Sequence, residues 1–179
     1  MSIESMIEET IGKEGRYSNH PSDTGGATMW GITEFTARKH GYTGDMKNLP
    51  REKAVAIYRQ EYVIDPGFAK VEEISPLVAQ ELFDTGVNMG PDIPARWFQE
   101  WLNVFNKQGQ LYPDIKEDAQ IGPGTLSAFR AFLKTRGPEA EKVMFKMLNC
   151  DQGVRYKTLS QRRQANEDFT WGWARARIA

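Results

Sequence analysis

Apolar side chains recur at helical spacing along most of this chain, and one polar, glycine-rich stretch at residues 14–33 breaks the pattern. Ile3, Met6, Ile7 and Ile11 share a face over residues 3–13, with Glu4, Glu8 and Glu9 placed elsewhere. Ser2 suits the N-cap of that helix, and Glu4 in its first turn complements the helix dipole. Thr33 before residues 34–40 and Gly41 after them bound a second helix. Pro50 reads as the first helical position of 50–63, with Ala54, Ile57, Tyr58 and Tyr62 along one side. Ser75-Pro76 repeats the start signal for 76–88, with Leu77, Val78, Leu82 and Phe83 facing inward. Residues 92–106 carry the apolar face Trp97, Phe98, Trp101, Leu102 and Phe105. A polar loop with Gly109, Pro113 and Gly122-Pro123-Gly124 follows. Leu126, Phe129, Phe132 and Leu133 then mark a helix that stops near Gly137. Pro138 opens another to about Leu148, and more helix follows from Val154. The pattern predicts a mostly α chain with a short β-hairpin or loop insert after its first helix.

A chain of 179 residues fits one compact domain, or a domain with a closely packed subdomain. One cysteine, Cys150, excludes an intramolecular disulfide, and its simplest reading is a buried small side chain. With two histidines, His20 and His40, a zinc site would need several carboxylates, so no metal and no cofactor is expected. The acidic, amphipathic N-terminus has neither the basic start nor the apolar run of a signal peptide, which predicts a chain made in a cytoplasm. Net charge is −1, which gives no polyanion signature and no nucleic-acid partner. That number conceals an asymmetry: residues 1–90 hold 9 basic and 14 acidic side chains, and residues 91–179 hold 14 and 10. The basic residues are scattered, as on solvated helix faces. The same excess would also favour weak contact of the C-terminal region with an anionic envelope.

The segment that breaks the helical pattern runs Glu14-Gly15-Arg16-Tyr17-Ser18-Asn19-His20-Pro21-Ser22-Asp23-Thr24-Gly25-Gly26-Ala27-Thr28-Met29-Trp30-Gly31-Ile32-Thr33. Asp23-Thr24-Gly25-Gly26 is a turn signal between short strand-like pieces such as Thr28-Met29-Trp30. A carboxylate ends a helix, a second lies nine residues on, and a threonine follows five later. Folded over the helix end, such a hairpin sets two carboxyls in one cleft with different environments. Glycoside hydrolysis requires that arrangement: one acid kept protonated, one carboxylate ionised. A glutamate at a helix end and an aspartate in a turn are also ordinary capping chemistry, and spacing alone does not separate the two.

The same run resembles the signature of glycoside hydrolase family 108, lysozyme-like N-acetylmuramidases found largely in phage and prophage endolysins. The resemblance continues through Val78-Ala79-Gln80-Glu81-Leu82-Phe83-Asp84-Thr85-Gly86-Val87-Asn88-Met89-Gly90. Gln120-Ile121-Gly122-Pro123-Gly124-Thr125-Leu126 is similar to the Ile-Gly-Pro-x-Thr element of the associated C-terminal peptidoglycan-binding region, and the Trp171-Gly172-Trp173 segment to that region's closing motif. Arg16 stands where a second glycine is usual, and Asp118-Ala119 where Asp-Gly is usual.

The resemblance implies a lysozyme-like catalytic region over 1–90 and a helical peptidoglycan-binding-like region over 91–179. It implies Glu14 as general acid, with Asp23 and Thr28 holding the attacking water. In the wider phage-lysozyme pattern five residues separate that Asp from Thr; here four do, and Thr33 is the weaker substitute. Tyr17, Trp30, Gln80 and Asn88 are candidates for substrate contacts, since sugars stack on aromatics and pair with amides. For Trp30 core packing is the stronger claim, and solvent is the plain alternative for Gln80. Trp171 and Trp173 lie two apart and cannot share a helix face, so one packs and the other is exposed. The partner so implied is bacterial peptidoglycan, met by a monomer that waits in a host cytoplasm and acts in the periplasm after a separate, holin-type pore opens. Other readings remain open at this point: a lytic transglycosylase, a non-catalytic peptidoglycan-binding or secretion-assisting module, and an amidase or endopeptidase.

Overall fold

The computed structural model describes residues 2–13, 17–18 and 27–178, and packing divides the chain into two units between Asp65 and Pro66. Glu14, Arg16, His20 and Asp23, together with the Asp23-Thr24-Gly25-Gly26 turn signal, lie outside the described residues.

In the first unit, α1 (Ile3–Lys13) begins as its sequence predicts: the Ser2 hydroxyl accepts from Ser5 N at 3.1 Å, and Ser5 Oγ accepts from Ser2 N at 3.0 Å. Ile3, Ile7 and Ile11 are buried, and α1 packs on α3 (Arg51–Arg59), whose Ala54, Ile57 and Tyr58 are buried in turn. Arg59 pairs with Glu4 and Arg51 with Glu8 across the same helix pair. Pro50 has an extended ψ of 139° and sits at the N-cap, one place before the first helical position expected for it. The helix then widens into a π-helical stretch, Gln60–Ile64.

The insert is a two-stranded antiparallel hairpin, β1 (Thr28–Met29) and β2 (Ile32–Thr33), which leads into α2 (Glu34–Lys39). Its turn is Trp30-Gly31, with φ of 56° and 76°. Two successive positive φ values give the turn whose twist matches paired strands. Gly31 meets that demand at no steric cost, whereas Trp30 does so against the preference of a bulky side chain.

The second unit is helical: α4 (Phe68–Glu72), α5 (Pro76–Met89), α6 (Asp92–Phe105), α7 (Pro123–Arg136), α8 (Ala140–Arg162) and α9 (Glu167–Arg177). Packing groups α5 with the helices after it, where it touches α4, α6 and α8. Ser75 caps α5 by accepting from Val78 N at 3.1 Å, ahead of Pro76 in the first turn. Phe68, Phe83, Phe98, Leu102, Phe129, Phe132 and Met144 are fully buried and form the core. Phe98 meets Phe129 edge-to-face at 5.0 Å, while Phe105 stacks on Phe132 at 5.5 Å.

Two expectations are corrected here. Residues 140–162 form one continuous helix, α8, where a break between Leu148 and Val154 was expected. A helix-interior glycine, Gly153, costs only about 1 kcal/mol, which packing against α5, α6 and α9 offsets. Cys150 is exposed rather than buried, because α8 turns Leu148, Asn149 and Gln152 inward and carries the next position outward.

The polar loop after α6 lacks regular structure, yet α6 holds it by its polar face. Gln99, fully buried, donates to Gln120 O at 3.1 Å and accepts from Ala119 N at 2.8 Å. Asn103 brackets Ile115, donating to its carbonyl at 2.8 Å and accepting from its amide at 2.9 Å. The Tyr112 hydroxyl donates to Leu102 O at 2.8 Å.

Candidate active site

Lys13 is the last residue of α1, so Glu14 follows it directly in sequence. Ser18 and Thr28 exchange backbone hydrogen bonds at 2.9 and 2.8 Å, which brings the chain on either side of Asp23 together. Thr28 is half-buried at the start of β1. Thr33 is committed elsewhere: its hydroxyl accepts from Thr36 N at 3.2 Å and lies 3.0 Å from Thr36 Oγ1, capping α2.

Tyr17, next to the Ser18–Thr28 pair, is half-buried with Lys47 Nζ 5.3 Å from its ring centroid. Trp30 is half-buried at the hairpin turn, and its indole N–H donates to Leu49 O at 2.9 Å. That bond ties the turn to the segment behind the 3₁₀ turn Met46–Asn48 and gives Trp30 a structural role. Tyr17, Thr28 and Trp30 therefore lie on one short piece of chain in the first unit. Gln80 and Asn88 belong to the second unit, two turns apart on α5. Gln80 is half-buried; Asn88 is exposed and donates to Asp84 O of its own helix at 2.8 Å.

One group on α5 escaped the sequence reading. Glu81 is 5% exposed, within hydrogen-bonding range of Thr85 Oγ1 at 3.3 Å, with Asn149 of α8 as a further partner. Burial, followed by the nearby Asp84 carboxylate, pushes it up to about 7. Asp84 in turn accepts from Gln152 Nε2 at 3.1 Å and from Arg177 Nη1 at 2.7 Å, so α5, α8 and α9 meet on one acidic pair. The signal was available: Glu81 sits between Val78 and Leu82 on the face read as inward.

Against known proteins, residues 7–90 match the family model described as Glycosyl hydrolase 108. Residues 7–90 belong to glycosyl hydrolase family 108. Residues 93–178 match a second model, a predicted peptidoglycan domain. Among solved structures the chain is similar to that of Brucella abortus SagA, at 23% identity with a TM-score of 0.66, over 97% of this chain and 90% of that one. At that identity the likeness speaks for the fold, which is mostly α and lysozyme-like with a short hairpin after its first helix. No curated protein matches the chain. The two matches together support a lysozyme-like, peptidoglycan-active protein.

The Asp118-Ala119 departure in the peptidoglycan domain has a geometric meaning. Ala119 adopts a φ of 63° and is buried. In the left-handed region an L-residue is strained by roughly 1–2 kcal/mol and glycine is not. Ala119→Gly is therefore expected to stabilise the chain by about 1 kcal/mol, the relief exceeding the entropy that glycine adds to the unfolded state. The check is the urea midpoint, which should rise at unchanged slope. A fall would mean that the packed methyl of Ala119 outweighs its backbone strain.

Proposed function

We propose that the chain is an N-acetylmuramidase that hydrolyses the β-1,4 bond between N-acetylmuramic acid and N-acetylglucosamine, with Glu14 as general acid and Asp23 holding the attacking water. The family 108 match over residues 7–90 carries the reading, since it spans both carboxylates. The Ser18–Thr28 pairing supports it, because it brings together the chain on either side of Asp23. Thr33 is spent on its cap, so Thr28 is the threonine we assign to the water. Tyr17, Trp30, Gln80 and Asn88 are assigned to substrate contacts, Trp30 with its structural bond to Leu49 as well.

Chemically, the general acid protonates the glycosidic oxygen as the bond to the anomeric carbon breaks, and water delivered from an ionised carboxylate completes hydrolysis. A lytic transglycosylase needs no such water, because a hydroxyl of the sugar attacks instead. Residues 1–90 are proposed to hold the chemistry and residues 91–179 the peptidoglycan grip. An endolysin's life, with the monomer waiting in a host cytoplasm until a separate pore opens, accords with the family resemblance. Weak attraction of the basic C-terminal region to an anionic envelope accords with its charge.

Purified peptidoglycan digested with the chain should yield new reducing ends, with or without chelator, on mass spectra free of 1,6-anhydro sugars. Anhydro products would assign a transglycosylase and remove the water role of Asp23. Loss of activity with chelator would point to an amidase or endopeptidase.

A further inference from the structure

The loop that α6 pins against α7 borders two adjoining cavities in the second unit. One, of about 360 Å³, is lined by Ile115, Lys116, Asp118 and Gln120 together with the start of α7. The other, of about 180 Å³, is lined by Tyr112, Pro113, Ser127, Ala128 and Ala131, and shares Ile115 and Gly124 with the first. The larger falls in the range of about 300–1,000 Å³ usual for small-ligand sites.

The linings differ in chemistry. The larger cavity presents opposite charges side by side: Lys116, 86% exposed in its side chain, has its ammonium 3.5 Å from Asp118 Oδ2. Asp118 is held in place, its Oδ1 accepting from Gln120 N at 2.9 Å and from Gln99 Nε2 at 3.2 Å. Those bonds keep its carboxyl below the usual range, so it stays ionised. Lys116 is free to swing outward on its stem while Asp118 is fixed. The smaller cavity is walled mostly by methyl, proline and ring carbons, with the Ser127 side chain as its polar member. Tyr112 there offers no hydroxyl, since that group is spent on Leu102 O, and with 6% exposure it offers no open face for a sugar to stack on.

A glycan strand asks for stacked aromatics and amides. A peptidoglycan stem peptide asks for a cation, an anion and a small apolar recess, because it carries free carboxylates, the side-chain ammonium of a diamino acid and alanine methyls. We propose that this double cavity binds the stem peptide of peptidoglycan: Lys116 meets a carboxylate, Asp118 meets the ammonium, and an alanine methyl enters the recess at Ala128 and Ala131. The inference rests on the reading of the chain as peptidoglycan-directed and adds which part of that polymer the second region grips.

The test uses the full chain and three probes: the soluble tetrapeptide L-Ala-γ-D-Glu-diaminopimelyl-D-Ala, a peptide-free muramyl glycan, and intact purified peptidoglycan. In amide-detected NMR titration the tetrapeptide should shift Ile115, Lys116, Gly124 and Ser127, and the peptide-free glycan should leave them in place. Lys116→Glu, at a solvent-facing position, should weaken tetrapeptide binding about tenfold, the scale of one charge-assisted hydrogen bond. Ala131→Leu, which fills the recess, should weaken it independently. Tetrapeptide binding that Lys116→Glu leaves intact overturns the proposal, as does a glycan that shifts these amides instead. A chain that hydrolyses peptidoglycan but ignores the tetrapeptide overturns this site alone. A chain that neither hydrolyses nor binds any of the probes overturns the broader reading with it.

Discussion

Glu14→Gln is expected to reduce the release of reducing ends from purified peptidoglycan by about 10²–10⁴-fold, the usual contribution of a positioned general acid. The substitution keeps the size and shape of the side chain and replaces the acidic O–H with an amide that cannot give up a proton. The circular dichroism spectrum and the thermal midpoint should therefore match the parent, while binding to insoluble peptidoglycan persists. Activity within tenfold of the parent would place the acid elsewhere. Asp23→Asn divides the mechanisms further. It should cost a hydrolase a comparable factor, since the amide cannot take a proton from the attacking water. A transglycosylase would tolerate it and continue to release anhydro products.

Much of the architecture was legible because helices announce themselves by period and punctuation. Ser75-Pro76, Thr33 and the isoleucines of α1 take the positions their chemistry predicts. Trp171 and Trp173 divide as their spacing requires: Trp171 is 77% exposed, and Trp173 lies 5.4 Å from Tyr156, centroid to centroid. The failures share a cause, which is that packing overrode a local signal. A break was expected between Leu148 and Val154, but α8 runs through Gly153 while packed against α5, α6, α7 and α9. Trp30, read with Thr28 and Met29 as strand-like, instead forms the Trp30-Gly31 turn at positive φ, and the bond from its indole to Leu49 exists only once the chain has folded.

For the site, the catalytic candidates come from a long motif, and the described residues next to them in sequence are the end of α1 and the Ser18–Thr28 pair. What the sequence could not show is how polar residues divide between solvent and interior. Gln99, Asn103 and Asn106 recur at helical spacing beneath the aromatics of α6, a second amphipathic pattern that holds the loop bordering the double cavity. Glu81 is different, because its place between Val78 and Leu82 on the inward face of α5 marks it as buried.

Glu81→Gln is expected to stabilise the chain above neutral pH by up to about 3 kcal/mol, the free-energy equivalent of the shift at about 1.4 kcal/mol per pH unit. In the folded chain Glu81 titrates at about 7, against an ordinary value of 4.5. Between those values the native state holds a proton that the unfolded state has released, so stability falls as pH rises. The penalty is absent below about 4.5, where both states are protonated, and complete above about 7. Glu61 runs the other way, with the Lys39 and His40 partners that lower it, and loses its contribution as pH falls, so the parent's profile mixes opposite slopes. The difference between Glu81→Gln and the parent isolates the buried acid. That difference should be near zero at pH 4 and largest at pH 8 in urea unfolding. A constant difference across the range would mean that Glu81 does not carry its proton into the neutral region. A difference growing toward acid would mean that Glu81 is held ionised in the fold.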